Sequence, residues 1–338
     1  MNKVSVVVPN LNGADHLLAC LDSLTHQSLK PHIVVVDNGS SDDSIELLVK
    51  KYPSVEVIAR DKNYGFTGGV NPGLQVAIKR DDEFVALLNN DAVAHKNWLE
   101  ALVKSFSNKP QLGIVTSKII NDSGEYLDST GEYYTTWGLS YPRGRREADL
   151  DKYDGNTDIF GASGGASLYR VAMLKEVGLF DDDFFAYYED VDLSFRARLA
   201  GWEVAFAPEA IVHHHIGSTS ARIPGFATYQ TMKNLPLLFY KNVPLKLMPI
   251  MLPRFKLVYI GLLVSAVGHG EGWLALKGVG RAILLLPKKL VQRHKIQAKR
   301  KLTPDQVSAL LVHDLPPNAR KIRALRGWWW KITKRQNG

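Results

Sequence analysis

A predicted strand in the first third of the chain ends on three polar residues. The stretch VALLNNDAV begins at Val85 with branched and apolar residues and then reaches Asn89, Asn90 and Asp91. A carboxylate at a strand end, beside amides, is a natural ligand for Mg²⁺ or Mn²⁺, which take a few oxygens from protein and the rest from water and phosphate. Asp91 is therefore a candidate ligand for a metal that bridges a diphosphate. From this segment alone, an aspartate that caps a turn or a helix fits equally well.

A second group of carboxylates stands beside an aromatic patch in FFAYYEDVDLSFR. Glu189, Asp190 and Asp192 are close enough along the chain to repel one another, and apolar surroundings raise the pKa of at least one of them. A carboxylate with a raised pKa can serve as a general base. The alternative is an acidic helix start, where Asp and Glu favour the positive end of the helix dipole.

Three consecutive histidines, His213 to His215, end the predicted strand AIVHHH. One imidazole can complete a metal site. Because successive side chains of a strand point to opposite faces, the three histidines cannot all share one role. A structural histidine is the alternative for each of them.

The elements around these residues alternate between strand and helix. Strands are predicted at VSVVVP, HIVVVD, SVEVIAR, EFVALLNND, GWEVAFAP and AIVHHH. Helices are predicted after the first strand, with Asn12 or Asp15 as its cap, and at about 44–51, 74–80, 97–107 and 190–200. The glycine-rich KNYGFTGGVNPG is predicted to be a loop that approaches a ligand closely. This order predicts an α/β fold with a mostly parallel sheet and helices on both faces.

Polar residues end three of the predicted strands, at Pro9-Asn10, Asp37-Asn38 and Asn89-Asn90-Asp91. Ligands of such sheets bind beyond the carboxyl ends of the strands, so all three clusters should lie above one crevice. A single cluster fits a solvated loop, whereas three clusters at one edge favour a site. The small residues of Gly161–Ala166 indicate backbone close to a ligand or to another segment. The first strand is not followed by GxGxxG, and the sequence lacks the P-loop motif, which argues against dinucleotide-binding and P-loop proteins.

The bulk composition is that of a globular protein. The 338 residues are 45% hydrophobic and 22% charged, enough for one large domain or a domain with an appendage. The single cysteine, Cys20, excludes an internal disulfide framework and a cysteine-based zinc site, and it fits a reducing compartment. The N-terminal MNKVSVVVPNLNG runs directly into a strand pattern, so no secretory signal is predicted.

Several motifs together, in this order, resemble the family 2 glycosyltransferases of the GT-A fold, and in particular their bacterial rhamnosyltransferase-like branch. The matching stretches are VSVVVPNLNG, VVVDNGSSDDS, NYGFTGGVNPG, VALLNNDAV, FGASGGASLYR, FFAYYEDVDLSFRARLAGW and HHHIGS, which cover about 4–218. Each stretch is a weak signal alone, and the ordered set is specific. The resemblance implies a Rossmann-like GT-A domain with a nucleotide-sugar donor as its substrate.

The resemblance also implies a role for individual residues. The nucleotide-sugar site would comprise Pro9, Asn10, Asn12, Asp37, Asn63, Gly65, Asn71, Asn89, Asn90 and Asp91. Asp190, paired with Glu189, would be the base that deprotonates an acceptor hydroxyl for in-line attack at the anomeric carbon. The acceptor side would include Gly164, Gly165 and Asp192, and Mg²⁺ or Mn²⁺ would be bound by Asp91 with His214 or His213.

The implied activity is an inverting transfer of a sugar onto a glycan or a polyprenyl-linked glycan, for cell-surface polysaccharide synthesis. The branch favours dTDP-rhamnose as donor, followed by UDP-sugars. Two departures from the family pattern bear on the site. The motif NND has an amide where many members have a first acid, which weakens the case for metal dependence, and Pro72 replaces a less rigid residue in NPG.

The C-terminal region differs in character from the rest. The net charge of the chain is +8, and its basic excess lies in KKLVQRHKIQAKRK and RKIRALRGWWWKITKR. Only twelve uncharged residues separate Lys256 and His269, fewer than the roughly 20 that span a bilayer. Helices lying in the interface of an anionic membrane are therefore expected, with Trp273 at headgroup level. A helical subdomain with a solvated basic face is the alternative.

The expected organisation is a catalytic domain at 1–220, with a nucleotide-binding half at 1–110 and an acceptor half at 111–220. A helical, basic region at 221–338 would hold the protein as a peripheral enzyme on the cytoplasmic face of the membrane. We expect no nucleic-acid partner. Two other classes remain open: an inactive nucleotide-fold protein that binds membranes or nucleic acid, and a nucleotidyltransferase. The clustered acids argue against the first, and the absence of Lys or Arg in PNLNGADH argues against the second.

Overall fold

The computed structural model describes residues 3–215 and 223–316. One nine-stranded sheet forms the centre of the molecule. Its strands are β1 Val4–Asn10, β2 His32–Asp37, β3 Glu56–Ala59, β4 Phe84–Leu88, β5 Ala92–Ala94, β6 Leu112–Asn121, β7 Leu127–Ser129, β10 Ala166–Arg170 and β11 Glu203–His214. They lie in the order β3-β2-β1-β4-β10-β6-β11-β5, with β7 paired to β6. The strands β8 Glu132–Tyr134 and β9 Ser140–Pro142 form a separate hairpin.

Helices cover both faces of the sheet, as predicted. They are α1 Leu17–Thr25, α2 Ser44–Lys51, α3 Gly65–Lys79, α4 Trp98–Lys104, α5 Val171–Val177 and α6 Glu189–Leu199, followed by α7 Phe226–Asn242, α8 Met248–Gly268, α9 Gly272–Ala298 and α10 Pro304–Ala309. Two cores on opposite faces of the sheet bury the branched residues of its strands, and alternate residues of β1, such as Val6 and Val7, belong to different cores. The prediction of an α/β fold is confirmed.

The pairing of strands brings the predicted polar clusters together. Strands β1, β2 and β4 run parallel, and Asn10 lies directly opposite Asp37 in the register. Strand β10 runs antiparallel to both β4 and β6, and β5 and β7 are antiparallel to their partners, so the sheet is mixed. Because β1 and β4 end at the same edge, their terminal residues converge on one crevice.

The glycine-rich segment is helical and not a loop, which corrects the sequence prediction. Helix α3 begins at Gly65, whose φ is +75°, and it includes GFTGGVN. The glycines allow the helix to lie very close to the sheet: a Cβ on Gly73 would stand 2.4 Å from Cγ1 of Val7. Glycine therefore serves close packing of helix on strand here, which the local pattern does not distinguish from loop flexibility.

Two further element predictions are wrong in detail. Strand β11 is one strand rather than two, with an irregularity between Ala207 and Ile211 that the sequence suggested as a break. Helix α1 starts after His16, and neither Asn12 nor Asp15 caps it. Asn12 instead has φ +50°, and its side chain accepts a hydrogen bond from the backbone of Ser41 at 2.8 Å.

The helices of the C-terminal region share a core with α6 and the segment that precedes it. Leu235, Phe239 and Phe255 pack in one cluster with Phe184 and Phe195. The outer faces of α8 and α9 leave many apolar side chains exposed. The predicted boundary at 220 and the basic stretch Arg320–Arg335 fall outside the described residues.

One helical stretch of the described chain, Leu245–Gly268, is long and apolar enough to cross a membrane by length and composition, and 22% of its apolar window is buried. The sequence prediction counted only the residues after Lys256 and concluded that the segment was too short. That conclusion is wrong on length, because the helix continues through Arg254 and Lys256 toward Met248.

Candidate active site

A cleft of about 420 Å³ opens at the carboxyl ends of β1 and β4. Nine of the predicted site residues line it: Pro9, Asn10, Asn63, Gly65, Asn89, Asn90, Asp91, Glu189 and His214. The other lining residues are Leu11, Asn38, Phe66, Asp128, Arg145, Phe185, Ala186, Tyr187, Ile223 and Phe226. A second cavity, of about 340 Å³, lies at the opposite edge of the sheet beside Phe84 and Phe106. It holds none of the predicted residues.

A network of amides fixes the floor of the cleft. Asn10 is buried, and its Nδ2 donates to Asp37 Oδ1 at 3.2 Å and to Ser44 Oγ at 3.0 Å. Its Oδ1 accepts from Nδ2 of Asn90 at 2.9 Å. Asp37 therefore stands behind Asn10 and orients it. Asn90, two residues after the end of β4, links that segment to the end of β1 through its amide.

Asn38 is a residue of the cleft that sequence reasoning left without a role. Its Nδ2 donates to the carbonyl of Gly65 at 2.8 Å and to Oδ1 of Asn63 at 3.1 Å, and its Oδ1 accepts from the backbone of Tyr64 at 3.1 Å. It therefore fixes the start of α3 against the end of β2. The sequence feature that could have indicated this role is the position of Asn38 directly after Asp37, at the end of β2.

The predicted metal ligands Asp91 and His214 meet at the wall of the cleft. His214 Nε2 lies 3.2 Å from Asp91 Oδ1, and its Nδ1 lies 3.0 Å from Asp128 Oδ2. Burial acts to lower the pKa of His214, but its hydrogen bonds to Asp128 and Asp91 outweigh burial and raise the pKa to about 9. At neutral pH the imidazole therefore bridges two carboxylates as a cation.

This pair fits a divalent ion that takes few ligands from protein. The described residues contain no group of three or more ligating side chains placed to hold a metal. Asp91 Oδ1 and His214 Nε2 are nevertheless close enough to share one ion, and Asp128 fixes the imidazole through its other nitrogen, as is usual for histidine ligands. Such an ion would replace the proton on Nε2 and would take its remaining ligands from phosphate and water.

Sequence reasoning missed Asp128 and Arg145, which come from β7 and from the segment after β9. Nη2 of Arg145 lies 3.4 Å from Oδ1 of Asp128, and the guanidinium is half exposed on the cleft. Asp128 is far from His214 along the chain, so no local pattern joins them. Arg145 supplies a cation at a cleft that also contains Asp91 and Glu189.

The predicted base, Asp190, follows the lining residue Glu189 in the first turn of α6 and does not itself line the cleft. Asp190 Oδ2 accepts from the backbone of Gly164 at 3.0 Å, and Oδ1 accepts from the backbone of Val191 at 2.8 Å. The carbonyl of Gly165 in turn accepts from the backbone of Asn89 at 2.9 Å, which ties this carboxylate to the end of β4. Burial raises the pKa of Asp190 although its backbone hydrogen bonds oppose the shift.

Glu189 lines the cleft directly and is 7% exposed. Burial, followed by the charge of Asp190, raises the pKa of Glu189 to about 8. Its Oε2 finds no hydrogen-bond partner among the residues that the structure describes. The pair therefore has one carboxylate held by backbone N–H groups and one that tends to stay protonated near neutral pH.

Eight of the predicted site residues do not line the cleft. Four of them are joined to the lining: Asp37 bonds Asn10, Gly165 bonds Asn89, and Gly164 bonds Asp190, the neighbour of Glu189. The other four, Asn12, Asn71, Asp192 and His213, make their contacts elsewhere. The amide of Asn71 bonds the backbone of Phe180 in both directions and also donates to Asp182, so its polar atoms are used in packing. Pro72 lies beside it inside α3. These placements correct the nucleotide-contact roles predicted for Asn12 and Asn71.

Asp192 and His213 face away for geometric reasons. Asp192 is fully buried and pairs with Arg196 at 2.9 Å and Lys241 at 2.8 Å, because residues two apart on a helix point in nearly opposite directions. His213 stacks on His95, with ring centroids 5.2 Å apart, on the face of β11 opposite His214. The structure thus brings His214, and not His213, to Asp91.

Comparison with known proteins agrees with this geometry. The family model described as Glycosyl transferase family 2 matches residues 5–178, just over half of the chain. An N-acetylglucosaminyl-diphospho-decaprenol L-rhamnosyltransferase of Mycobacterium tuberculosis is 27% identical over 241 residues, which are 65% of this chain and 78% of the relative. An O-antigen chain rhamnosyltransferase of Salmonella typhimurium is 24% identical over 216 residues, which are 63% of this chain and 66% of the relative.

Solved structures show the same fold. A mannosyltransferase from Pyrobaculum calidifontis, in complex with GDP-Man and Mn²⁺, aligns with a TM-score of 0.53 at 17% identity and covers 88% of this chain and 85% of its own. GalNAc-T7 with UDP, GalNAc and Mn²⁺ aligns with a TM-score of 0.56 at 18% identity, over 71% of this chain and 48% of that protein. These likenesses confirm the GT-A fold. The chain belongs to glycosyl transferase family 2, and it is a glycosyltransferase.

Proposed function

We propose that this protein is an inverting transferase that moves a sugar from a nucleoside-diphosphate donor onto a polyprenyl-linked glycan. One observation carries the proposal: a single strand-end cleft is lined by the Asp91–His214 pair and by Glu189, and the backbone of Gly164 holds the neighbouring Asp190. A metal site for a diphosphate and a base for an acceptor hydroxyl are the two parts that such a transfer requires.

The donor would lie over the ends of β1 and β4. Asn10, Asn38 and Asn63 offer amide groups beside the cleft, held by the network described above. A divalent ion, Mg²⁺ or Mn²⁺, would be held by Asp91 and His214, and it would neutralise the charge of the diphosphate as the sugar leaves. Arg145 adds a positive charge on the same wall.

Asp190 would take the proton of the acceptor hydroxyl. The hydroxyl oxygen then bonds to the anomeric carbon, the bond from that carbon to the diphosphate oxygen breaks, and the nucleoside diphosphate leaves with the electron pair. The backbone N–H groups of Gly164 and Val191 fix the carboxylate of Asp190 for this step. Glu189, protonated at neutral pH, avoids a second charge beside the base.

The relatives support a particular donor and acceptor. Two of the curated relatives are named rhamnosyltransferases, and one of these carries a diphospho-decaprenol acceptor in its name. We therefore propose dTDP-rhamnose as the first donor to test, and UDP-sugars as the second. A polyprenyl-diphosphate acceptor stays in the membrane, which matches the apolar surface of the C-terminal helices.

The test is a thermal-shift panel of dTDP, UDP, GDP and CDP with and without Mn²⁺, followed by transfer from the matching radiolabelled sugar donor. We expect a Mn²⁺-dependent shift with dTDP, and release of dTDP when dTDP-rhamnose and a polyprenyl-diphosphate acceptor are both present. A shift with UDP alone would replace dTDP-rhamnose by a UDP-sugar as the donor to test. Absence of any nucleotide shift would contradict the transferase site and favour a binding protein.

We also propose that α8 and α9 dock on the cytoplasmic face of an anionic membrane. Their outer faces expose Ile260, Val264, Trp273, Ile283 and Leu284 at 58–72%. Residues 245–300 contain eleven Lys and Arg against one acid, Glu271. Apolar residues flanked by cations are typical of helices that lie in an anionic interface.

Vesicle sedimentation tests this surface. The double variant Ile283→Glu with Leu284→Glu should lose binding to vesicles that contain phosphatidylglycerol, while Val49→Glu, a matched change at an exposed apolar residue of α2, should bind like the wild type. Carbonate extraction distinguishes the two membrane modes: a peripheral protein is released, whereas one that α8 anchors across the bilayer stays. Equal binding of both variants would contradict the proposal.

A further inference from the structure

The backbone that leads into the catalytic carboxylates has an unusual conformation. Three residues between the short 3-10 helix Asp182–Phe184 and helix α6 have positive φ: Phe185 at +65°, Tyr187 at +68° and Tyr188 at +71°. Aromatic residues rarely adopt this region, because Cβ approaches the following carbonyl. Such a segment persists only where its surroundings hold it.

Helix α7 supplies contacts that hold this segment. Nδ2 of Asn234 donates to the carbonyls of Phe184 at 2.9 Å, Ala186 at 2.8 Å and Tyr187 at 2.8 Å. Nζ of Lys233 donates to the carbonyl of Phe184 at 3.0 Å. Both side chains are buried, Asn234 completely.

The orientation of the Asn234 amide follows from its surroundings. Three carbonyl oxygens face Nδ2, so the flipped amide would direct its own oxygen at all three. Oδ1 has no hydrogen-bond partner among the residues that the structure describes. The side chain thus acts as a donor toward one stretch of backbone and accepts from none of the described groups.

The same stretch of backbone touches the donor end of the cleft. The carbonyl of Phe185 accepts from the backbone of Thr67 at 3.2 Å, and a Cβ on Gly65 would stand 2.3 Å from that carbonyl. Phe185, Ala186 and Tyr187 line the cleft between Gly65 and Glu189. A small shift of this backbone would therefore move these three lining residues and the carboxylates of Glu189 and Asp190 together.

We infer that Asn234, assisted by Lys233, is a positioning residue that holds the backbone of 184–188 so that Glu189 and Asp190 stand beside the cleft. The inference rests on the proposed function for the roles of the carboxylates. The C-terminal helical region would then contribute to catalysis, because the residue that holds the 184–188 backbone comes from helix α7.

The experiment compares Asn234→Ala with Asn242→Ala. Asn242 is a matched control: it is equally buried on the same helix, and its amide donates to Asp192 and Leu238 and not to the 184–188 backbone. We expect Asn234→Ala to lower kcat about 10- to 100-fold with less than about a twofold change in KM for the donor, because a misplaced base affects the chemical step. Asn242→Ala should keep the wild-type kcat at a comparable loss of Tm.

A readout that does not need the assigned donor accompanies the kinetics. Amide hydrogen exchange over 184–190 should become about tenfold faster in Asn234→Ala and stay unchanged in Asn242→Ala. Unchanged exchange, or faster exchange with wild-type kcat, would overturn the positioning role. If the wild type transfers no sugar from any donor tested, the proposed function fails, and the exchange result alone decides whether Asn234 holds the segment. Lys233→Met, which removes one hydrogen bond, gives a milder second variant should Asn234→Ala fail to fold.

Discussion

Lys289 offers a sharp test of how the C-terminal helices are joined to the catalytic domain. Its side chain is fully buried in α9, and Nζ lies 2.6 Å from Oδ2 of Asp181 and 2.7 Å from Oδ2 of Asp183. Replacing it with methionine keeps the volume and removes the charge. Breaking a buried ion pair by removing one partner costs about 3–5 kcal/mol, because a buried charge is left behind.

The surrounding charges place this variant at the lower end of that range. Asp181 keeps Lys241 at 2.6 Å, and Asp183 keeps Lys288 at 2.7 Å. We therefore expect Lys289→Met to lower the free energy of unfolding by about 3 kcal/mol. Lys288→Met is the matched control: its side chain is 60% exposed, so its loss should cost about 0–1 kcal/mol.

The effect should depend on pH with a definite sign. Burial acts to raise the pKa of Asp181, but Lys241 and Lys289 outweigh it and hold the pKa below its ordinary value of 3.8. A carboxylate with a depressed folded-state pKa contributes stability above its unfolded pKa and loses it as the pH falls through the folded value. The difference between wild type and Lys289→Met should thus be constant near neutral pH and shrink below about pH 4.

Urea denaturation at pH 7 and at a series of pH values down to about 2.5 measures both effects. The double variant with Asp181→Asn should lose at least about 1 kcal/mol less than the sum of the single variants, since neighbouring groups do not add. Equal midpoints for Lys289→Met and Lys288→Met would refute the reasoning. An undiminished difference at low pH would show that packing of the methylene chain, and not charge, carries the effect.

Three further predictions concern the cleft. Asp190→Asn should lower transfer by about 10²–10⁴-fold while a nucleoside diphosphate binds in calorimetry as before; retained turnover would remove Asp190 as the base. Asp91→Asn should weaken Mn²⁺-dependent binding of the nucleotide more than about tenfold, because one of the two proposed protein ligands of the ion is lost. A wild-type affinity for the nucleotide that is the same with and without Mn²⁺ would contradict this role. Because the pKa of Glu189 is raised from 4.5 to about 8, wild-type stability should fall as the pH rises through that interval. The Tm of Glu189→Gln relative to wild type should therefore climb from pH 5 to 8, and a difference independent of pH would refute the burial of that proton.

Much of the cleft follows from rules that act locally. Parallel strands end at one edge, so the ends of β1 and β4 could be placed together from the hydrophobic runs that precede Asn10 and Asn89. Each motif alone was a weak signal for the family, and the order of the motifs made the resemblance specific. The same rules predicted that His213 and His214 face opposite sides, but not which of them meets Asp91.

The remainder depends on contacts between distant segments. Asp128 and His214 are joined only through the pairing of β6 with β7 and β11, for which the sequence has no local signal. Asp192 was predicted on the acceptor side of the site, but two residues along a helix from Asp190 turn its side chain by about 200°. The glycine-rich start of α3 was predicted to be a loop because its close contact with β1 is a tertiary feature.

The interlocked core also decides how membrane binding should be tested. Removing the chain after residue 245 would delete α8 and α9, yet Phe239 of α7 stacks on Phe255 of α8 at 4.3 Å, and Nη1 of Arg293 in α9 donates to the carbonyl of Val243 at 2.6 Å. Such a truncation would expose part of a shared core and leave Asp181 without Lys289. We expect the truncated protein to bind a hydrophobic dye, aggregate and lose activity, whereas the surface double variant of α9 stays monomeric by light scattering. A truncated protein that keeps the wild-type Tm would show that the C-terminal helices are a detachable anchor.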